Sequence, residues 1–382
     1  REALTDWCRA GDPSVIALCN YEKFIPGVLP ELRHIAGLVA DESSLLRSGG
    51  GVIKWNLIKS ARGIEYKLSC TATPAPNEAM EYASQSAFLE KLRNEGDILW
   101  TYFKRDKHGV WSVKPHARQA FYRFMSSWSV YLRDPVRFGF ADILASLPDP
   151  EIIEQRIDLT DEQRVLMTDF LVVTGRGMFA DRMGVKERSK LAQMARGFIY
   201  EPNGSKPHAR SVQALKPTWV AETVRAEVAA GRQTLIWTTF DQEGDILVAL
   251  LSDLPVAILS GSQSDAERLD LLSRFRAGDL AVLISKPQLI GFGLNLQFVR
   301  SMVFSGFDDS FERMYQAIRR CYRFGQTHSV RVFLPYVPEL EGMIFDNIRA
   351  KEARFMVDVA AQEDHYRAAL ASTLPALGGV IA

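Results

Sequence analysis

Four short stretches hold side chains whose types and spacing could do chemistry. The first is the adjacent acidic pair Asp41 and Glu42, which ends the apolar run HIAGLVA. A carboxylate beyond the carboxyl end of a parallel strand can hold a magnesium ion through water, and its neighbour can orient or deprotonate an attacking water. The same pair could instead cap a helix. The second is LSCTATPAPNEAMEY, where Thr71, Thr73 and Pro74 follow another apolar run. Those hydroxyls could link a carboxylate to a moving loop, or simply close a capped turn. The third is IGFGLNLQ, in which Gly291 and Gly293 would let the backbone approach a phosphate or a nucleic-acid strand closely. The fourth is YQAIRRCYRFGQ. Gln316, Arg320 and Arg323 are spaced by four and three residues there, which on a helix places them on one face. Two arginines so placed can stabilise charge on a transferring phosphoryl group; a solvated basic face is the plainer alternative.

A fifth stretch draws the eye for another reason. Gly49, Gly50 and Gly51 precede Lys54 in GGGVIKW, and glycine runs followed by lysine suggest a phosphate-binding loop. Here the lysine does not follow a glycine, no serine or threonine follows it, and no convincing strand precedes the run. The stretch reads as a surface turn before a helix.

The elements that must position these residues are short apolar runs separated by polar turns. SVIALCN, HIAGLVAD and YKLSCTATP read as buried strands in the first part. RQTLIWTTF, PVAILSG, LAVLISK, RSMVFSG and SVRVFLPYV read so in the last part. Continuous rather than alternating apolar character predicts parallel strands covered on both faces. Glu243 to Ser252 and Ala266 to Ala277 carry helical spacing between them, so the fold class is α/β. The middle, from about Glu78 to Leu132, is aromatic and helical in pattern, and a second helical stretch runs from Asp161 to Arg196. Thr160 with Gln163 is the signature of a capping box at its start. GFIYEPNGSKPHARS reads as a turn-rich connector.

Composition sets the bounds. The 382 residues, 47% of them hydrophobic, are enough for two domains with separate cores. Lysine plus arginine and aspartate plus glutamate balance at 46 each, so no global basic field advertises a nucleic-acid partner, although a local groove can be basic on a neutral chain. Cys8, Cys19, Cys70 and Cys321 form no CxxC pair, which disfavours a zinc ribbon or disulfide framework and suits a reducing cytosol. No apolar run approaches the roughly 20 residues that span a bilayer, and REALTDWCRAGDPS lacks the apolar core of a signal peptide. That start also lacks an initiator methionine, so a processed or truncated chain is expected.

Taken together, the motifs resemble those of superfamily 2 helicases and translocases, closest to the Swi/Snf-type branch and its phage and prophage members. The resemblance covers nearly the whole chain. DESS at Asp41 is similar to the DEAH-type box, and TATPAPN at Thr71 to the TGTP-type motif, with Glu81 at its glutamate position. GSQSDAERLDLLSRF from Gly261 resembles the start of the second lobe's run; GFGLNL resembles the GLGINL-type motif, with Asn295 at its asparagine. QAIRRCYRFGQ at Gln316 matches the QAxxRxxRxGQ signature of the branch.

The resemblance implies an α/β fold of two RecA-like parallel-sheet lobes, with a helical insertion between them and a helical C-terminal tail. The corresponding divisions are a partial first lobe at 1–155 with the insertion at about 78–145, a second lobe at 156–345, and a tail at 346–382. It implies ATP and Mg2+ as cofactors and double-stranded DNA, held through its backbone, as partner. Asp41 would hold the magnesium and Glu42 the water; Arg320 and Arg323 would be the arginine fingers. Gln316, Gly291 and Gly293 would line the nucleotide site, while Thr71, Thr73, Asn77 and Asn295 would couple it to the nucleic acid. NYEKF at Asn20 resembles a nucleic-acid-facing motif. The departure is the phosphate loop: Arg1 to Ala40 contain no GxxxxGK[ST]. The chain is therefore expected not to turn over ATP unaided. The competing expectation is a non-catalytic nucleic-acid-binding or scaffold protein on the same fold, against which the intact acidic pair and arginines argue.

Overall fold

The computed structural model describes residues 1–12, 14–47, 51–73, 75, 81–106, 111–131, 136, 147–174, 183–201, 208–290 and 295–373. The chain forms two compact units. One comprises Arg1–Phe140 with Lys351–Ala382, the other Ala141–Ala350.

The first unit opens with α1 (Glu2–Ala10), then β1 (Gly37–Ala40), α2 (Val52–Ser60) and β2 (Tyr66–Ser69). β1 and β2 pair in parallel, Gly37 opposite Tyr66 and Ala40 opposite Ser69. α1 and α2 bury Cys8, Leu57 and Ile58 with Phe24, Leu32 and Phe88 in one core. Two readings change here. SVIALCN forms no strand: Ile16 and Leu18 are 87% and 94% exposed, beside a groove of about 630 Å3 that β1 also lines. An apolar run states that burial is favourable, but its ladder partner is a tertiary matter, and β1 pairs with β2 alone among the described residues. Lys54 lies inside α2, not on a surface turn; it is buried and paired with Glu95 at 2.9 Å. Gly49 and Gly50 lie outside the described residues.

The aromatic middle is built of α3 (Tyr82–Phe88), α4 (Glu95–Tyr102), β3 (Phe103–Arg105), β4 (Trp111–Val113) and α5 (Arg118–Ser126). The antiparallel β3–β4 pair is an addition to the helical expectation. Phe121 is fully buried, with the rings of Tyr82, Tyr102, Phe103 and Tyr122 at 5.3 to 6.0 Å around it.

The second unit contains β5 (Glu151–Arg156), α6 (Asp161–Val173), α7 (Val185–Ala195), β6 (Phe198–Glu201), β7 (His208–Ser211), α8 (Leu215–Ala229), β8 (Thr234–Trp237), α9 (Asp241–Leu250), β9 (Val256–Leu259), α10 (Asp265–Ala277), β10 (Val282–Ser285), the short α11 (Pro287–Ile290), β11 (Ser301–Phe304), α12 (Phe311–Cys321) and β12 (Arg331–Tyr336). The long α13 (Pro338–Thr373) begins in this unit and its last part belongs to the first. Six strands form one parallel sheet in the order β5-β12-β11-β8-β10-β9. β8, β10 and β11 are buried at every position, as continuous apolar runs require. α8 and α9 cover one face, packing Val220, Val224 and Leu247 on Ile236, Ile284 and Val303. The fold is thus α/β with parallel sheets, as expected. β5, with its polar EIIEQR, is an edge strand that apolarity could not reveal, and the turn-rich connector is the β6–β7 hairpin.

Candidate functional site

Asp41 and Glu42 follow the carboxyl end of β1, and Thr71 and Thr73 follow that of β2 one strand over. The parallel ladder brings the two motifs together. Cys70 N donates to Ala40 O at 2.8 Å, and Ser43 donates to Cys70 O through both its backbone N (2.9 Å) and its Oγ (3.0 Å). Ser69 and Ser43 share a hydroxyl bond at 2.8 Å, and Gln85 Nε2 donates to Ser43 O at 3.0 Å. So Ser43 of DESS latches the acidic turn to the threonine strand.

Glu42 has φ +48, a left-handed conformation that a non-glycine residue adopts at a cost. Its amide donates to Asp41 Oδ1 at 2.9 Å, which closes the turn. Tyr21, from NYEKF, donates its hydroxyl to Asp41 O. Burial, with the Asp41 and Glu42 carboxylates beside it, pushes the Tyr21 phenol up to about 12. The acidic turn therefore presents a negative, partly dry environment. Thr73 is fully buried, and its amide donates to Thr71 Oγ1 at 3.1 Å, an arrangement of the capped-turn kind. Asn77 lies outside the described residues.

In the second unit, α12 is capped by Ser310, whose Oγ accepts from Arg313 N at 3.4 Å. It carries Gln316 and Arg320 and ends at Cys321. Arg323 is therefore off the helix, and the expected common face extends only to Arg320. Arg320 is 9% exposed, while Arg323 is exposed on the following turn. That turn is fixed by Gln326, whose Nε2 donates to Val299 O at 3.1 Å and whose Oε1 accepts from Thr327 N and His328 N at 3.0 and 3.1 Å. Gly325 has φ +92, and a Cβ there would stand 2.8 Å from Gln297 Oε1, so glycine is required twice over. Gln297 exchanges bonds with Asn295 at 3.1 and 3.2 Å, and Leu296 N donates to Arg320 O at 3.0 Å. Asn295, Arg320 and the Arg323 turn are thereby one assembly. Gly291 and Gly293 lie outside the described residues.

Sequence reasoning missed a second feature of this unit. The chain goes from β8 to β9 on one side and later to β11 on the other, so the sheet has a switch point at β8. A small cavity of about 50 Å3 lies there, lined by Thr238, Thr239, Gly306, Asp308 and Arg313. Beneath it Arg196 donates to Thr239 Oγ1 (2.6 Å) and Phe307 O (2.9 Å) and lies 3.4 Å from Glu341, which pairs with Lys216 at 2.7 Å. Burial pulls the Lys216 ammonium down, against the pull of Glu341. A Cβ at Gly306 would come within 2.7 Å of Glu243 Oε1 and 2.9 Å of Arg196 Cζ. The usable signal was Gly306 in the turn just beyond the apolar run of β11.

Residues 216–325 match the family described as the helicase conserved C-terminal domain. That span runs from α8 to the turn after α12. The chromatin remodeling factor mit1 of Schizosaccharomyces pombe is 22% identical across 82% of this chain. The chain spans 23% of that relative's length. Among solved structures, the Sulfolobus solfataricus SWI2/SNF2 ATPase core in complex with dsDNA is similar at 20% identity and TM-score 0.41, over 91% of this chain and 73% of that one. The C-terminal part of the Fun30 ATPase domain is similar at 17% identity and TM-score 0.41, over 53% of this chain and 89% of that one.

Proposed function

We propose that the protein is an ATP-dependent DNA translocase of the Swi/Snf-like branch of superfamily 2, of the phage and prophage type, tracking double-stranded DNA through its backbone. The observation that carries this reading is the assembly of Asn295, Arg320 and the Arg323–Gln326 turn, which falls within or against the segment matching a helicase C-terminal domain. The proposed divisions are a first lobe at 1–155 with its insertion, a second lobe at 156–345 and a tail at 346–382.

The residues fit the cofactors in part. Asp41 and Glu42 are adjacent hard-oxygen donors at a strand end, suited to a magnesium ion that keeps most of its water. Asp41 would hold that ion, which when bound offsets phosphate charge. Glu42 would orient the attacking water and take its proton. Arg320 and Arg323 would neutralise phosphoryl oxygens, with Gln316, Gly291 and Gly293 lining the nucleotide. Thr71, Thr73, Asn77 and Asn295 would relay nucleotide state to the DNA. Lys54 does not fit a phosphate loop, since Glu95 already holds it in the interior.

The test is ATP hydrolysis by the gene product that carries these residues, with and without duplex DNA. Duplex should stimulate turnover, and Arg323→Ala should lower kcat by about 10³-fold while leaving duplex affinity in place. Turnover that survives the substitution removes the finger assignment. Duplex binding with no hydrolysis in the unaltered protein would favour the scaffold reading.

A further inference from the structure

The insertion carries a charge imbalance that the whole chain hides. Residues 91–123 hold eight Lys or Arg against three Asp or Glu, in a chain of net charge zero. Of those acids, Glu95 is paired with Lys54 and Asp97 lies 4.0 Å from Arg93, while Arg93 itself is 94% exposed. The imbalance surrounds a large aromatic surface. Trp100, on the last turn of α4, is 75% exposed. Below it is bare backbone, since a Cβ at Gly96 would stand 3.7 Å from Trp100 Cδ1. Beside it is Trp111 of β4, with centroids 5.9 Å apart and rings at 80°.

The chain turns directly from α4 into β3, so Lys104 and Arg105 follow within five residues of Trp100, both exposed. Arg105 is the cross-strand partner of Trp111, and so shares its face. Lys114 caps the end of α4, donating to Trp100 O at 2.7 Å and Thr101 O at 3.2 Å, and adds positive charge beside the ring. An exposed indole among cations suits a partner with flat rings and regular anions, and unpaired nucleotides supply both. A paired base offers no open face to stack on.

We propose that this corner, Trp100 with Trp111, Lys104, Arg105 and Lys114, is a binding site for single-stranded nucleic acid. Trp100 stacks on one base, and the cations hold the flanking phosphates. The site shares a partner class with the proposed translocase but uses different residues, on the insertion.

The experiment compares binding of oligothymidine and of a blunt duplex of equal length by the full chain. Oligothymidine should quench tryptophan fluorescence. Trp100→Ala should weaken oligothymidine about tenfold and the duplex less than about twofold, because stacking is worth about 1–3 kcal/mol per base. Trp100→Phe should recover much of the loss. Trp100 is largely exposed, so a thermal midpoint within a few degrees of the unaltered chain is expected of both variants. Arg323→Ala should leave oligothymidine affinity unchanged, which separates this site from the proposed catalytic one. Unchanged oligothymidine affinity in Trp100→Ala, equal losses on both probes, or displacement of oligothymidine by polyglutamate as effectively as by itself would each overturn the proposal. The last result would point to an acidic protein partner instead.

Discussion

Asp358 shows how a buried carboxyl in the aromatic core of the first unit ties stability to pH. It accepts from the Tyr122 hydroxyl at 2.7 Å, and Tyr122 stacks on His365 at 5.6 Å. Burial pushes the Asp358 carboxyl up, against the Tyr122 hydrogen bond and the Arg118 and Arg354 charges. A raised value means the folded state holds the proton more tightly than the unfolded chain. The associated stability is fully present below the ordinary value of 3.8 and is lost as pH climbs through the raised one. Asp358→Asn keeps an acceptor for Tyr122 and removes the titration. The variant should lose less stability than the unaltered chain on going from pH 4 to neutral, read from denaturation midpoints of the first unit. Parallel pH profiles would show that Asp358 is not the source. Single residues also show the limits of reading by type. The glycines and Lys54 caught attention, yet Lys54 answers to Glu95 forty-one positions away. Conversely, Ser43 of DESS was given no role from its type, and it holds the acidic turn to the threonine strand.

Helices with local punctuation were legible, because their signals lie within a few residues. The capping box at Thr160 is present, with Gln163 N donating to Thr160 Oγ1 at 3.2 Å and Thr160 N donating to Gln163 Oε1 at 2.9 Å. The same hydroxyl donates to Gln213 O at 2.8 Å, so it ties α6 to the strand-to-helix link before α8. Thr160→Ala should cost about 1–2 kcal/mol, visible as faster amide exchange over the first turn of α6. Unchanged exchange there would mean the cap is redundant. Strands were legible where the run is apolar: β1 and β2 were found this way, although, against the expectation of burial, Val39 and Leu68 on them are exposed. β8, β10 and β11 announced themselves, whereas β5 pairs along its whole length with β12 yet has only two apolar residues, Ile152 and Ile153, side by side. The error at SVIALCN has the opposite sign: strong apolarity in a segment that pairs with no described strand.

At the level of the chain, zero net charge conceals an uneven distribution. Residues 91–123 are basic, and the acidic turn at Asp41 and Glu42 lies elsewhere in the same unit. No described helix is long and apolar enough to cross a membrane. If DNA is held through its phosphates, log affinity should fall linearly with log salt, with a slope of about −0.9 per phosphate contacted on duplex. A titration from low to moderate salt checks this, and a flat response would remove backbone contact from the account. The Trp100 site should show a shallower slope on single strands, near −0.7 per phosphate, since a single strand has the lower charge density and releases fewer counterions per contact.

What residue order alone carried was everything local. It set the apolar runs that become parallel strands, the capping box at Thr160, and the chemical types at Asp41, Glu42, Gln316, Arg320 and Arg323. What required the folded chain was every relation across distance. Parallel pairing of β1 with β2 joins Asp41 to Thr71, and the Leu296–Arg320 bond joins Asn295 to the arginine helix. The turn from α4 into β3 gathers Trp100, Arg105 and Lys114. Helix and strand periodicities record which side of an element is buried, not what covers it. Partner choice comes from packing and ladder register, which no window of neighbouring residues encodes.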